Sequence, residues 1–234
     1  ISKSKGNGIS IEDWLKFASK ESLLLYMYQN PRKAKRLTFD VIPKAVDEYQ
    51  SFSEKFPSQE LKEKINNPVF HINEGDPKII ESPVTFSLIL NLVSASQSDS
   101  REVIWGFLKE YFDDISNESR EYIDGLVGFA LEFYKIFVLP TKKYKKPNSS
   151  EINYLAILKD KLSSMKDEKD PEKIQTVIYE IGKESEYDSL KEWFSALYEI
   201  LLGQTQGPRL GSFIILYGVT ETIELIDKAI KGEL

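Results

Sequence analysis

Apolar residues recur at helical spacing along most of this chain. In one stretch Ile174, Ile178 and Ile181 fall at i, i+4 and i+7, which places them on one face of a helix. Comparable patterns, several of them bounded by capping residues, predict helices at residues 10–29, 33–55, 83–97, 100–113, 118–138, 151–165, 171–184, 189–202, 209–217 and 220–231. The pattern therefore predicts an all-α fold.

Signals for strands are confined to one region. Residues 69–72, a polar turn at 73–76 and residues 78–80 have the composition of a short hairpin, and an ordered loop fits them equally well. No repeat of fixed period is present, which favours a compact bundle or cage of helices over a solenoid. Residues 140–150 contain two prolines and four lysines and predict a connection between two helical regions.

Composition excludes several classes of site. The chain of 234 residues is 41% hydrophobic and 29% charged, as expected of a globular protein with a buried core. The absence of cysteine excludes disulfides, thiolate catalysis and cysteine-bound metals. The single histidine, His71, excludes a site with several histidine ligands, and we expect it to be a satisfied or exposed loop residue. We expect no contact with a membrane, because no apolar run approaches the length of a spanning helix.

Charge is unevenly distributed. The net charge is −6, yet residues 1–44 carry nine basic and four acidic side chains. A basic end on an acidic body indicates that one end contacts something anionic, and chance in a lysine-rich sequence is the alternative explanation. The acidic balance argues against indiscriminate binding of nucleic acid and is compatible with a localised RNA contact.

The first eight residues predict a polar, mobile segment. Ser2, Lys3 and Ser4 precede Lys5 and two glycines, a composition that can present hydroxyls, backbone N–H groups and an ammonium to phosphates. A frayed terminus is the alternative. Because the first residue is Ile rather than Met, we interpret the chain as part of a longer polypeptide.

Several segments together resemble one family. Residues 1–4 are similar to the end of the Lys-Met-Ser-Lys-Ser signature of class I aminoacyl-tRNA synthetases, with Ile1 in place of Met. Residues 25–49 are the most specific match, and residues 67–72, 90–96 and 203–211 agree with it. Taken together, nearly the whole chain resembles class I lysyl-tRNA synthetases.

The resemblance implies that different segments of the chain belong to different functional regions. Residues 1–8 would be the remnant of the catalytic signature loop, and residues 9–139 the stem-contact helices and the first helical anticodon-binding subdomain. Residues 140–150 would be a basic linker, and residues 151–234 the C-terminal subdomain of an anticodon-binding helix cage. The Rossmann domain, with the lysine and adenine sites, would lie outside this sequence.

The resemblance also assigns the candidate basic residues. In the intact enzyme Lys3 would contact the pyrophosphate of ATP during amino-acid activation, as an ammonium that follows the developing charge. Arg32, Lys33, Lys35 and Arg36 place four cations in five residues, and we expect them on a helix in contact with the inner stem of the tRNA. A solvated helix face is the alternative. For the lysines at 142–146, a soluble linker and a phosphate contact both stay open.

Arg209 is the candidate for anticodon recognition. The chain has only five arginines, and this one follows Gly207 and Pro208 near a predicted helix start, where a planar guanidinium suits base or phosphate contact. Trp193, Phe194 and Phe213 are the candidate stacking aromatics. The alternatives are a structural ion pair for Arg209 and core positions for the rings.

The function expected from the resemblance is tRNA binding and anticodon recognition within a cytoplasmic enzyme that ligates lysine to its tRNA. The partners would be that tRNA, with lysine and ATP in the full-length enzyme. ATP with Mg²⁺ would serve the full-length enzyme only, and this part alone would need no cofactor and be inactive. A glutamyl-type or non-discriminating relative is one alternative, and a helical protein-interaction module that does not bind RNA is another.

Overall fold

The computed structural model describes residues 9–35, 37–78, 81–111 and 115–234. Within these ranges the chain forms helices and no strand: α1 (Ile11–Leu15), α2 (Lys20–Tyr28), α3 (Ile42–Lys55), α4 (Leu61–Asn66), α5 (Pro68–Ile72), α6 (Phe86–Ser96), α7 (Arg101–Tyr111), α8 (Asn117–Phe133), α9 (Ser149–Ser163), α10 (Pro171–Glu184), α11 (Leu190–Leu201), α12 (Leu210–Tyr217) and α13 (Val219–Lys231). The all-α prediction is confirmed. No helix in the described ranges has the length and apolarity needed to cross a membrane.

Shorter helical turns adjoin these helices. Single 3₁₀ turns form at Phe39–Val41 and Leu139–Thr141, and a π-helical turn at Tyr134–Val138 continues α8. Most helix starts follow the capping signals in the sequence, as at Asn148, whose side chain accepts a hydrogen bond from the backbone of Glu151.

Three predicted elements are wrong. The helix expected at 10–29 is broken, because α1 ends at Leu15 and Ser19 caps a new helix by accepting a bond from Ser22 N at 3.3 Å. The helix expected from residue 33 begins only at Ile42, with a proline in its first turn. Residues 69–72 lie in α5 rather than in a strand, since Asn67 caps that helix through Val69 N; residues 79–80 lie outside the described ranges.

The chain divides into two compact units at positions that differ from the predicted domains. Unit 1 comprises residues 1–90 and 114–137, and unit 2 comprises residues 91–113 and 138–234. Residues 91–113 thus pack with the C-terminal helices rather than with the N-terminal region. The predicted linker at 140–150 is also part of unit 2, where Lys143 N donates to Gly203 O at 3.2 Å and Lys145 N to Glu199 O at 3.0 Å.

Unit 1 is organised around buried aromatic rings and a few buried polar side chains. Trp14 is fully buried and its indole N–H donates to Ser22 Oγ at 3.2 Å, which ties α1 to α2. Gln50 on α3 donates to the carbonyls of Ser82 and Val84, both at 3.0 Å, and so fixes the chain that leads into α6. These bonds pair polar side chains that are buried inside unit 1.

In unit 2, α10 packs against α9, α11 and α12. Ile174 and Ile178 on α10 are fully buried, as their spacing predicts. The contact with α12 is close, since the N–H of Gly211 donates to Gln175 Oε1 at 2.8 Å and a Cβ at this position would lie 2.2 Å from Pro171 O. Only glycine fits where the start of α12 meets the start of α10.

Candidate nucleic-acid interface

The basic segment that follows α2 is not helical. Asn30 adopts a positive φ of 49°, and Lys33 N donates to Asn30 O at 3.0 Å in the turn that follows. Arg32 and Lys33 are exposed, whereas Arg36 lies outside the described residues. The segment therefore presents two cations from an irregular turn, and the helical face expected for them is not formed.

Lys35 differs from its neighbours because it folds back onto α2. Its ammonium donates to the carbonyl of Tyr26 and lies 4.7 Å from the centre of the Tyr26 ring. Partial burial lowers the pKa of Lys35 from its usual value. This lysine secures the turn against α2, and its ammonium is committed to that contact rather than to solvent.

Arg209 is the N-cap residue of α12 and is half exposed, with 52% of its side chain accessible. Both terminal nitrogens of its guanidinium donate to the carboxylate of Glu172 in the first turn of α10, one of them at 2.5 Å. Arg209, which was predicted to contact the anticodon, therefore forms a bidentate ion pair at the surface.

The rings proposed for stacking occupy different environments. Trp193 is 1% exposed and donates from its indole nitrogen to Ile178 O at 3.0 Å, and Phe213 is 2% exposed. Neither ring offers a face to a base, which favours the core alternative for both. Phe194 is half-buried and packs edge-on against Tyr179 with ring centres 5.1 Å apart.

The structure does not bring Arg209 and these rings to one place. Trp193 packs beside Ile178 and Gly182, roughly two to three helical turns along α10 from Glu172, the partner of Arg209. A single base cannot contact both Trp193 and Arg209. The candidate anticodon residues therefore reduce to Arg209 on the surface, with Phe194 partly accessible.

The second basic cluster has two kinds of lysine. Lys142 donates to Ser94 O at 2.5 Å and lies 4.8 Å from the centre of the Tyr144 ring, and burial lowers its pKa to about 8. Lys145 pairs with Glu151 at 2.7 Å. Lys143 and Lys146 are exposed. The cluster is consequently anchored at two lysines and open to solvent at the other two.

Glu151 is a buried carboxylate, with 2% of its surface exposed. One oxygen accepts from Lys145 Nζ and from the hydroxyl of Tyr187, and the other accepts from Asn148 N at 2.8 Å. Burial alone would raise the pKa of Glu151, but these hydrogen bonds outweigh it and hold the pKa below its ordinary value. The network joins the start of α9 to the segment after α10.

Glu172 and Glu151 are functional candidates that sequence patterns did not single out. A signal existed for Glu151, because Asn148 and Glu151 have the three-residue spacing of a capping box, and the structure forms that box. For Glu172 the signal was only an acidic residue in a first turn. Their partners, Tyr187 and Arg209, are 36 and 37 residues away in sequence, so no local pattern identifies them.

His71 and Lys3 complete the set of candidate residues. His71 lies on α5 rather than in a loop; it is exposed, its Nε2 lies 2.6 Å from Ile65 O, and its ring stacks on Tyr28 at 5.6 Å. Across the described ranges no group of three His, Cys, Asp or Glu side chains is placed to hold a metal ion. Lys3 lies outside the described residues.

Comparison with known proteins links the chain to one group of enzymes. The family described as class I tRNA synthetases (K) matches residues 1–76. The lysine–tRNA ligase of Roseobacter denitrificans is 45% identical over all 234 residues, and that of Rickettsia felis is 46% identical over 97% of the chain. The enzyme of Rickettsia bellii is 46% identical over 97%.

Residues 1–76 thus match the class I tRNA synthetase (K) family, and the whole chain is similar to lysine–tRNA ligases. The resemblance inferred from residues 1–4 and 25–49 is thereby confirmed. The chain spans 44% of the length of each of these relatives. The family match includes Lys3 and the basic segment, whereas α9 to α13 are related to the synthetases through the full-length similarity alone.

Proposed function

We propose that this chain is the tRNA-binding portion of a class I lysyl-tRNA synthetase, which recognises the anticodon while the rest of the enzyme ligates lysine to the tRNA. The observation that supports this proposal is the 45% identity to a lysine–tRNA ligase over the entire chain, including the helices beyond the family match. Lysine, ATP with Mg²⁺ and the cytoplasmic tRNA would be the partners of the whole protein. This part would need no cofactor of its own and would be inactive in ligation.

Arg32 and Lys33 would provide the stem contact. Both are exposed on a turn that Lys35 secures, so the turn presents two neighbouring cations to solvent. Contacts of this kind bind phosphates regardless of sequence and release counterions. Arg209 would contribute to anticodon recognition after its guanidinium exchanges Glu172 for RNA. Lys3 would approach the phosphates of ATP in the whole enzyme.

The proposal is tested by binding of the 234-residue chain to transcripts of a lysine tRNA and a glutamate tRNA at several salt concentrations. We expect tighter binding to the lysine tRNA and an affinity that falls steeply with salt. Replacing Arg32 and Lys33 with Gln should make the slope of log affinity against log salt less steep by about 1.4 to 1.8, since each phosphate contact contributes about 0.7 to 0.9.

The matched control replaces Lys55 and Lys62 with Gln, because both are exposed on unit 1 and the charge change is the same. Equal slopes for the two double variants would move the stem contact away from the basic turn. Equal affinity of the wild-type chain for both tRNAs would contradict the recognition of a lysine anticodon.

A further inference from the structure

Unit 2 contains a cleft that none of the predicted site residues occupies. Its volume is about 250 Å³, and it lies where the first turn of α9 meets the segment after α10; its lining includes Lys145, Asn148, Ser150, Tyr154, Glu186 and Tyr187. This volume is somewhat below the range of about 300–1,000 Å³ that is usual for sites of drug-sized ligands. The cleft therefore suits a single ring.

The position of the cleft walls is set by the protein. Tyr154 and Tyr187 both pack against the buried Trp193, with ring centres 5.9 Å and 6.0 Å apart. The Tyr187 hydroxyl donates to the buried Glu151, and the Tyr154 hydroxyl accepts from Glu186 N at 3.0 Å. Two aromatic side chains are consequently fixed before any ligand arrives, and such rings stack on nucleobases.

The cleft also offers both donors and acceptors. Asn148 Oδ1 is used by Glu151 N at 2.9 Å, so the amide of Asn148 can offer its NH₂ group. The carboxylate of Glu186 is exposed and accepts from Ser150 Oγ at 3.2 Å, and when ionised it can only accept. A pyrimidine base carries both kinds of group on its edge, which a purely apolar or purely anionic ligand does not.

The surrounding charges indicate which part of an RNA enters. Lys145 balances the charge of Glu151, and the exposed carboxylate of Glu186 repels a phosphate from the cleft itself. Lys146 and Lys143 are exposed two and five residues before Asn148 in the chain, where they can bind the phosphates of a nucleotide whose base enters the cleft. This arrangement matches a nucleotide whose base is inside the cleft and whose backbone stays outside.

We propose that the cleft receives one unstacked pyrimidine base of the bound RNA, with the backbone held by Lys143 and Lys146. The inference rests on the proposed function, under which the base is a uridine, because lysine codons require uridine at the middle and third anticodon positions. Glu172 and Glu184 are twelve residues apart on α10, or about 18 Å at 1.5 Å per residue. The cleft and Arg209 therefore hold different parts of the RNA.

The experiment uses lysine-type anticodon stem-loops with one abasic nucleotide at the first, second or third anticodon position. For the wild-type chain we expect one of the abasic loops at the middle or third position to bind about 10-fold more weakly than the intact loop, as expected for the loss of a stacked base. Tyr154→Leu should bind the intact loop about 10-fold more weakly than the wild-type chain does. It should bind this one abasic loop as well as the intact loop, while its response to the other abasic loops stays unchanged. Tyr179→Leu, which changes another partly exposed tyrosine of unit 2, should retain the penalty.

A second variant guards against misfolding of Tyr154→Leu. Glu186 is exposed, so Glu186→Gln should fold normally; it should weaken binding of the intact loop about threefold and reduce the same abasic penalty, whereas Glu184→Gln should change neither.

The possible failures are distinguishable. If the wild-type chain binds the lysine loop no better than an unrelated hairpin, the proposed function fails and the cleft assignment fails with it. If it prefers the lysine loop and both Tyr154→Leu and Glu186→Gln retain the full abasic penalty, only the cleft assignment is overturned.

Discussion

The two ends of α10 carry two different kinds of candidate RNA site. At the first turn, Glu172 and Arg209 form an ion pair of which both members are more than half exposed. Beyond the last turn, the buried Glu151 and its partners border a cleft of about 250 Å³. The first end offers charge on a surface, and the second offers a prearranged space.

This difference bears on how each end contributes to binding. An exposed ion pair is screened by water and salt, and its rearrangement costs little. A buried carboxylate with three donors resists rearrangement, because each broken bond leaves a polar group without a partner. We therefore expect the end with Arg209 to adapt to the RNA and the end with the cleft to select a shape.

The largest effect is expected from Glu151→Ala. Loss of the carboxylate removes the bond from Asn148 N, which is half of the capping box of α9, and leaves Lys145 and Tyr187 without their acceptor. The free energy of unfolding at pH 7 should therefore fall by about 3 kcal/mol, the lower end for breaking a buried pair, because Lys145 is partly exposed. Folding lowers the pKa of Glu151. The stability that its charge contributes is therefore fully present above the pKa of the unfolded state, and it is lost as the pH falls through the pKa of the folded state.

Urea unfolding between pH 3 and 7 measures both effects. The difference between wild type and Glu151→Ala should shrink as the solution is acidified. Glu184→Ala is the control, since it removes an exposed carboxylate from the same region. A difference that is constant with pH would show that Glu151 acts through packing rather than through its charge.

An intermediate effect is expected from Gly211→Ala at the opposite end. The new Cβ would approach Pro171 O to 2.2 Å, and the backbone must shift to relieve the contact. We expect a loss of about 1–3 kcal/mol in the free energy of unfolding, together with weaker positioning of Arg209. In contrast, Gly106→Ala on α7 meets no atom within 4 Å and should be neutral or stabilising. If Gly211→Ala leaves the free energy of unfolding unchanged, the backbone at the start of α10 can move away from the new Cβ at little cost.

The smallest effect on stability is expected from Glu172→Gln. The pair with Arg209 is exposed, so the free energy of unfolding should change by less than about 1 kcal/mol.

The same pair can be tested by RNA binding. If Arg209 binds RNA, its release from Glu172 in Glu172→Gln should strengthen binding of the lysine stem-loop. Arg209→Lys should reduce the preference for this loop over a glutamate-type loop, because the planar guanidinium is lost. Unchanged affinity and preference in both variants would assign Arg209 a structural role.

Sequence patterns predicted α10, α12 and α13 to within one residue. The helices α10 and α13 each have a strong apolar face, α12 is apolar over most of its length, and each has a capping residue or a glycine at an end. They failed where a few side chains decide the outcome. Ser19 starts a new helix inside a continuous apolar pattern, and Asn67 makes a helix of residues that have the composition of a strand. Neither event alters the average hydrophobicity on which the prediction depends.

The candidate site was predicted less completely than the fold. Arg209 is visible in the sequence because arginine is rare in this chain, and the exposed Arg32 and Lys33 are visible as a cluster. The cleft is not visible, since it depends on Tyr187 meeting Glu151 across 36 residues. Burial of Trp193 and Phe213 likewise depends on the packing of whole helices. Chemistry-bearing residues can be identified locally, but their accessibility is a property of tertiary structure.

The π-helical turn at Tyr134–Val138 has a consequence for how length changes are tolerated in unit 1. A π turn holds one more residue than an α turn, and here it places Phe137 against Phe17 and Phe39, with ring centres 5.0 Å and 4.0 Å away. Because five residues of π helix and four residues of α helix turn the chain by nearly the same angle, deleting one residue as the turn relaxes to α geometry would leave the residues after it close to their present direction. The turn is therefore the position at which this helix best tolerates the loss of a residue, because the residues that follow keep their direction.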